Sequence, residues 1–254
     1  MAGRMVLGSA LAQLVRPASE MDGSGAHRLL PVAPELGGLL PNRGLRRGST
    51  VAVGTSRSAS GGTSLMLALL AEASRAGSWC AVVGVPALGL LAAAEAGIAL
   101  DRLALVPYPG AEWPTVVAAL IDGVDVVVAA APDGVSTVVT DRLAARARQR
   151  GSVLVPYGAW TGADVTLQIT DGAWDGLGPG HGRLTRRRLT ISARGRGAAT
   201  RPREIRVWLP AASGRFTAVV AGTPGATTVT LVDPPDTAVP RAPLTLVGPA
   251  AEPA

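Results

Sequence analysis

Between residues 49 and 170 the chain alternates short, unbroken apolar runs with longer helical stretches, and this pattern decides the fold class. The runs are "TVAVG", "WCAVVGV", "LALVPY", "VDVVVAAA", "SVLVPY" and "DVTLQIT". They are rich in Val and barely alternate with polar residues. A strand that is apolar on successive residues has to be covered on both faces, as in a parallel sheet between helix layers. Between the first five runs the spacing predicts helices over 64–76, 87–97, 112–121 and 136–149. The expected fold is therefore α/β, a mostly parallel sheet flanked by helices with right-handed crossovers.

The flanks differ in character. Residues 1–35 read as an N-terminal helix and linker, with Leu7, Leu11, Leu14 and Val15 on one face of the helix over residues 1–20. Residues 21–48 are rich in Gly and Pro and read mostly as loop, with a turn at "LPNRG". After residue 172, glycine-rich turns lead into two β-type runs, "RLTRRRLTISARG" and "REIRVWL". These predict an arginine-rich antiparallel hairpin within 183–215, joined by a loop over 194–202 and extending the sheet edge. The order Leu184, Arg186, Arg188, then Leu189 and Ile191 slips by one residue and suggests a bulge. Residues 36–220 thus form the expected core. Residues 221–254, rich in Pro, Ala and Thr, read as a flexible tail.

Composition excludes several chemistries. All 24 basic residues are arginine, so the chain has no lysine for a Schiff base, a general base or a phosphate loop. Cys80 is the single cysteine, so neither an intrachain disulfide nor a cysteine-built zinc site can form. His27 and His181 lie far apart in glycine-rich stretches, and no metal site is expected. No apolar run is long and clean enough for a membrane span, because Gly, Pro and Glu interrupt each one. A cytoplasmic, nucleoid-associated location is the expectation.

The stretch "GTSRSASGGTSL", residues 54–65, lies between an apolar run and a helical one. That is where a phosphate loop would turn backbone N–H groups onto a nucleotide. Gly54, Gly61, Gly62, Thr63 and Ser64 are the candidate nucleotide-binding residues of a degenerate loop. Gly62 occupies the lysine position, Thr63 keeps the hydroxyl that would ligate magnesium, and the loop is two residues longer than the standard spacing. The run "VDVVVAAAPDG" ends in alanines, so no carboxylate closes it. Asp125 opens that run, on the wrong end, and Asp133 is explained by the "PDG" turn. With lysine, metal carboxylate and base all missing, nothing stabilises a phosphoryl-transfer transition state. No catalytic residue, no cofactor and no enzyme activity are expected.

From about residue 36 to 210 the chain resembles the RecA-like recombinase core. The resemblance rests on "GGLLPNRGLRRGSTVAVG", "GGTSLMLALLAEASRAGSWCAVVG", "LDRLALVPYPG", "VDVVVAAA" and "GADVTLQI". On that register Gly62 falls on the catalytic lysine and Ala130 on the metal-binding aspartate. Within the superfamily, "GLGPGHGRLTRRRLTI" and "REIRVWLP" look like ImuA-type proteins, shortened RecA relatives of the mutasome. The resemblance implies an accessory role in damage-induced translesion synthesis. It also implies partners: an ImuB-like inactive Y-family polymerase-like protein, an error-prone replicative-type polymerase, RecA and DNA. Two other readings remain open: a nucleotide-binding RecA-like protein with weak or no ATPase, and a RecA-related regulator of recombination or cell division.

Residues 183–215 hold ten arginines against one acid, Glu204. Arg183, Arg186, Arg187, Arg188, Arg194, Arg196, Arg203 and Arg206 are the candidate residues for binding DNA or a partner. Three roles fit them: phosphate-backbone binding with Trp208 and Phe216 stacking on bases, docking of an acidic protein surface, or a charged sheet edge that resists aggregation. Trp113, Trp160 and Trp174 fit either core or interface.

Overall fold

The computed structural model describes residues 28–54, 61–178, 181–196, 201–209 and 217–218. The helix expected over residues 1–20, the tail over 221–254, residues 55–60 of the glycine-rich loop, His27 and Phe216 lie outside the described residues.

Six parallel strands form the centre: β3 (Val51–Gly54), β4 (Cys80–Val83), β5 (Leu103–Val106), β6 (Val126–Ala129), β7 (Val153–Pro156) and β8 (Val165–Gly178). Ladders run in the order β5-β4-β6-β7 and, separately, β3-β8. Parallel bridges Thr50–Leu154 and Val53–Tyr157 join β7 to β3, with N–H···O bonds from Leu154 to Ser49 (3.0 Å) and from Gly158 to Val53 (2.9 Å). The two ladders therefore make one surface with β3 at its middle.

Helices cover it on both faces. α2 (Gly62–Arg75) and α3 (Leu90–Glu95) lie on one side; α4 (Trp113–Gly123) and α5 (Thr137–Arg150) lie on the other. The strands divide residue by residue between the two cores. Val126, Val128, Val153 and Val155 join the first, whereas Val127, Ala129 and Leu154 join the second with Trp113 and Ile121. This is why the runs are apolar throughout: every side chain faces a helix layer, and each buried Val or Leu contributes roughly 1.5–3 kcal/mol. Trp113 is wholly core, at 1% exposure. Among the described residues, no helix is long and apolar enough to cross a membrane.

The helices begin and end within a few residues of expectation. α5 starts after Ser136 and stops at Gly151, whose φ of 72° gives the left-handed cap that glycine favours. Arg146 and Arg150 at its end clamp Asp122 of α4; Arg146 does so with two N–H groups and Arg150 through Nε at 3.0 Å. The hydrogen bond from Arg146 first, then the charges of both arginines, hold the Asp122 carboxyl below its ordinary 3.8. This exposed clamp is fully formed at neutral pH and weakens only as pH falls below that value.

One expectation needs an addition and one a correction. Residues 28–48 are mostly turn and connection, as expected, but they do not lie outside the core. β1 (Leu29–Leu30) pairs antiparallel with β2 (Leu45–Arg46), α1 (Pro34–Gly37) lies between them, and Leu36, Leu39, Leu40 and Leu45 are fully buried. Pro and Gly there shape tight connections instead of loosening the chain. Nor does β8 stop near residue 170. It continues through "DGAWDGLG" to Gly178 and forms a long antiparallel pair with β9 (His181–Gly195). The glycines in that stretch are strand residues beside a bulge. The register slips twice: between Ile169 and Asp171, where the extra residue is on β8, and between Asp175 and Leu177, where the larger excess is on β9 between Gly182 and Arg186. β10 (Arg203–Trp208) then pairs antiparallel with β9 as the hairpin reading expected, and β11 (Thr217–Ala218) pairs with β10.

Cys80, on β4, is fully buried, and burial together with the negative charge of Asp125 pushes its thiol up to about 12. The native protein should leave this thiol unmodified by a disulfide reagent at pH 8 and release one equivalent on denaturation. Because the folded-state value is raised from 9.0, stability should decline as pH climbs from 9 towards 12. Rapid titration of one thiol under native conditions would contradict this burial.

Candidate functional site

β3 ends at Gly54, on the carboxyl edge of the parallel strands, and α2 begins at Gly62. That edge is where open α/β sheets bind ligands. The first turn of α2 has no side-chain cap and no acidic residue. Its leading N–H groups, those of Gly62, Thr63 and Ser64, thus have no acceptor in the helix ladder, and the helix dipole adds positive potential. Leu65 N–H is the first to bond back, to Gly61 O at 3.0 Å.

Gly61 has a conformation that only glycine adopts readily, with φ 120° and ψ 0°. A Cβ there would also meet Arg187 Nη1 and Ile169 Cδ1 at 3.1 Å and Leu189 Cδ1 at 3.2 Å. The backbone before α2 is therefore pressed against β8 and β9, with the Arg187 guanidinium beside it. Arg187 is only 7% exposed, and its guanidinium carbon lies 5.4 Å from the centroid of the Trp174 ring. Burial lowers its pKa from the usual arginine range. Thr63 Oγ1 lies 2.9 Å from the Tyr157 hydroxyl, which follows β7. The hydroxyl that a magnesium site would use is here bonded to a protein partner.

The end of β6 is closed by main chain. Ala130 N–H donates to Val83 O at 3.0 Å, and Gly84 (φ 76°) packs so near that a Cβ would lie 2.7 Å from Ala130 O. Asp133 is exposed in the turn before Gly134. Asp125, at the opposite edge, accepts from Arg47 Nη2 at 2.7 Å and from Trp79 N–H at 2.9 Å. It fastens the amino ends of the strands. Among the described residues, no cluster of His, Cys, Asp and Glu is arranged to hold a metal ion.

The arginines of β9 and β10 separate by face. Opposed residues of an antiparallel pair share a face, and neighbours along a strand alternate. Leu189, Ile191 and Val207 face α2. Arg187 shares that face and goes to the α2 start. Arg203 also shares it and donates from Nη1 to the carbonyls of Gly38 and Leu40, each at 3.2 Å, tying β10 to the chain after α1. Arg186, Arg188, Arg194 and Arg206 lie on the other face with Trp208. Arg186 stacks 4.1 Å from the Trp208 ring centroid and pairs with Asp175 through Nε at 3.0 Å. Asp171, Asp175 and Glu204 share this face, so its positive charge is partly offset. Arg196 is exposed just past β9, where its N–H bonds Asp164 O at 3.0 Å. Arg183 falls within β9, outside the residues whose side chains are described.

The sequence pointed to Gly54, Gly61, Gly62, Thr63 and Ser64 but not to Tyr157 or the placement of Arg187. Tyr157 had a signal, as the polar end of a buried strand. Arg187 had one too, since it is two and four residues before Leu189 and Ile191 and so shares their inward face.

Gly61→Ala combines a disfavoured φ with three close contacts. It should destabilise the fold by about 1–3 kcal/mol in denaturant unfolding, whereas Gly110→Ala, with open space around it, should cost less. Equal costs at the two positions would remove the argument for a crowded α2 start.

A family model described as the MT3502 N-terminal domain matches residues 38–162, from the chain after α1 to the loop before β8. It thus includes β3, the α2 start and Tyr157. A relative, the uncharacterized protein Rv3395c of Mycobacterium tuberculosis (strain ATCC 25618 / H37Rv), is 42% identical in an alignment 146 residues long that covers 54% of this chain and 72% of the relative. With that identity over that share of the relative, the chain belongs to the same family as Rv3395c, and its residues 38–162 are similar to the MT3502 N-terminal domain.

Proposed function

We propose that this chain is a non-catalytic RecA-like accessory protein that assembles a translesion-synthesis complex, a mutasome, in the DNA-damage response. One observation carries the reading. At the centre of the sheet β3 leads to α2 across the glycine-rich stretch, yet the positions that the RecA-like resemblance assigns to lysine and the metal aspartate hold Gly62 and Ala130, and the Thr63 hydroxyl is bonded to Tyr157. A frame without lysine or metal carboxylate lacks the charges that phosphoryl transfer requires. What is left is a rigid surface. The outward face of β8, β9 and β10 offers Arg186, Arg188, Arg194 and Arg206 to DNA or to an acidic partner surface. The partners in this reading are an ImuB-like inactive Y-family polymerase-like protein, an error-prone replicative-type polymerase, RecA and DNA, at the nucleoid.

A second reading draws on Arg187. Its guanidinium beside Gly61 gives the α2 start a cation despite the absence of lysine, which favours a nucleotide-binding RecA-like protein with weak or no ATPase. A third reading, a RecA-related regulator of recombination or cell division, rests on the same fold alone.

Co-expression of the tagged full chain with the ImuB-like protein and the polymerase should yield a complex that survives gel filtration. The purified chain should release phosphate from Mg-ATP no faster than the Thr63→Ala variant. Failure to form the complex would overturn the assembly reading. ATP turnover abolished by Thr63→Ala would overturn the silent one, and recovery of cell-division proteins instead would favour the third.

A further inference from the structure

The outward side of α2 carries a feature that none of these readings uses. Leu67, Ala68 and Ala71 floor a groove of about 270 Å³, bounded by the α1 segment on one side and α3 on the other, with Leu209 at its rim. Three carboxylates line it, Glu35, Glu72 and Glu95, against one arginine, Arg75, which is paired with Glu72 at 2.6 Å. The adjoining α3, "LLAAAE", is apolar almost all round yet buries only Ala93. Leu90 is 50% exposed and Leu91 72%. A helix of that composition is expected to be covered on more than one side. The groove and α3 together form an apolar, acid-rimmed face.

We propose that residues 5–16 of the same chain dock in this groove as an amphipathic helix. Three observations select this occupant. The first is pattern: Leu7, Leu11, Leu14 and Val15 form one apolar face, while Arg4 and Arg16 flank it and match the Glu35, Glu72 and Glu95 rim. The second is length. A twelve-residue helix is ~18 Å long, and the α2 residues that line the groove, Ser64 to Arg75, span ~17 Å at the same rise. The third is the tether. The described chain begins at Arg28, and Ala33 and Pro34 already line the groove. The linker between Arg16 and Arg28 reaches at most ~40 Å, enough to return the helix to its own groove. Short tethers of this kind give millimolar effective concentrations, so a modest apolar contact suffices for docking. The small side chains of Ala68 and Ala71 let a helix approach α2 closely. The inference is independent of the mutasome reading, because it concerns only how this chain covers its own surface.

Engineered cysteines test it cleanly, because the native Cys80 is buried. Ala92 is exposed, so Ala92→Cys leaves the core intact. In the full chain, Leu11→Cys with Ala92→Cys should oxidise to a cross-linked monomer at a rate independent of protein concentration. Glu35→Arg combined with Glu95→Arg should slow that cross-link at least fivefold without lowering the melting temperature. Cross-linked dimers in place of monomers would assign the groove to a second copy and overturn the proposal. Faster closure by Ala212→Cys with Ala92→Cys would assign it to the segment after Leu209, with the same consequence. As a second measurement, deleting residues 1–20 should raise amide exchange in Leu90–Ala96 at least tenfold while β4 and β6 keep their protection. Unchanged exchange in α3 would also sink the idea.

Discussion

β3 is four residues long, and the rest of the architecture depends on its being paired on both edges. Its Val53 carbonyl accepts from Gly158 beyond β7, and its ladder to β8 runs from Val51–Val165 to Gly54–Gln168. Without these bonds the parallel ladder β5-β4-β6-β7 and the mixed ladder that starts at β8 would have no common strand. Central burial imposes conditions on β3. Its side chains must be small and apolar on both faces, which Val51, Ala52 and Val53 satisfy at 3% exposure or less. Its carboxyl end must also turn directly into α2, which packs back over the sheet. The crowded glycine at position 61 is the consequence, because α2 can begin only where Ile169, Leu189 and Arg187 leave no room for a side chain.

Most of this fold was legible in the sequence because its physical cause is local. A run such as "VDVVVAAA" is apolar on both faces whatever its neighbours, and two helix layers follow from that alone. The residues that were misread are those whose structure depends on a partner. "DGAWDGLG" carries three glycines and two aspartates, a composition that reads as turn. It is a strand because β9 lies beside it, pairing Trp174 with Arg187 and Asp175 with Arg186. Cross-strand pairs of this kind are what stabilise a glycine-rich strand, and a single segment cannot reveal them. The burial of residues 28–48 was missed for a related reason. Leu36, Leu39 and Leu40 have helical spacing, but the helix is one turn long, and Leu39 and Leu40 enter the core from the turn after it, where Arg203 holds the Gly38 and Leu40 carbonyls.

The candidate site divides along the same line. Gly61, Gly62 and Thr63 could be found because glycine-rich loops between strand and helix have a recognisable spacing. Tyr157 is 94 residues from Thr63 and comes to it only through the parallel order that places β7 next to β3. Within the arginine-rich segment, composition gave one patch, whereas strand alternation gives two populations. Arg187 and Arg203 are consumed inside the protein, and Arg186, Arg188, Arg194 and Arg206 remain on the outer face. The charge available to an external ligand is therefore smaller than the arginine count suggests, and Asp171, Asp175 and Glu204 reduce it further. A face so balanced selects by the placement of its charges more than by bulk attraction.

The same economy bears on the α2 start. A catalytic phosphate site keeps polar groups waiting for substrate, which is costly in a buried setting. Here the groups around β3 turn to one another: Thr63 to Tyr157, Ala130 to Val83, Asp125 to Arg47 and the Trp79 backbone. Each bond ties a different strand or helix to its neighbour, Thr63 and Ala130 at the carboxyl edge of the sheet and Asp125 at the amino edge. In the proposed assembly role such internal bonding would favour docking, because a surface that does not rearrange loses little entropy on binding. The open apolar face of α3, with Leu90 50% and Leu91 72% exposed, stands against this pattern of internal satisfaction, and it is this face, rather than the carboxyl edge of the sheet, that the proposed N-terminal helix would cover.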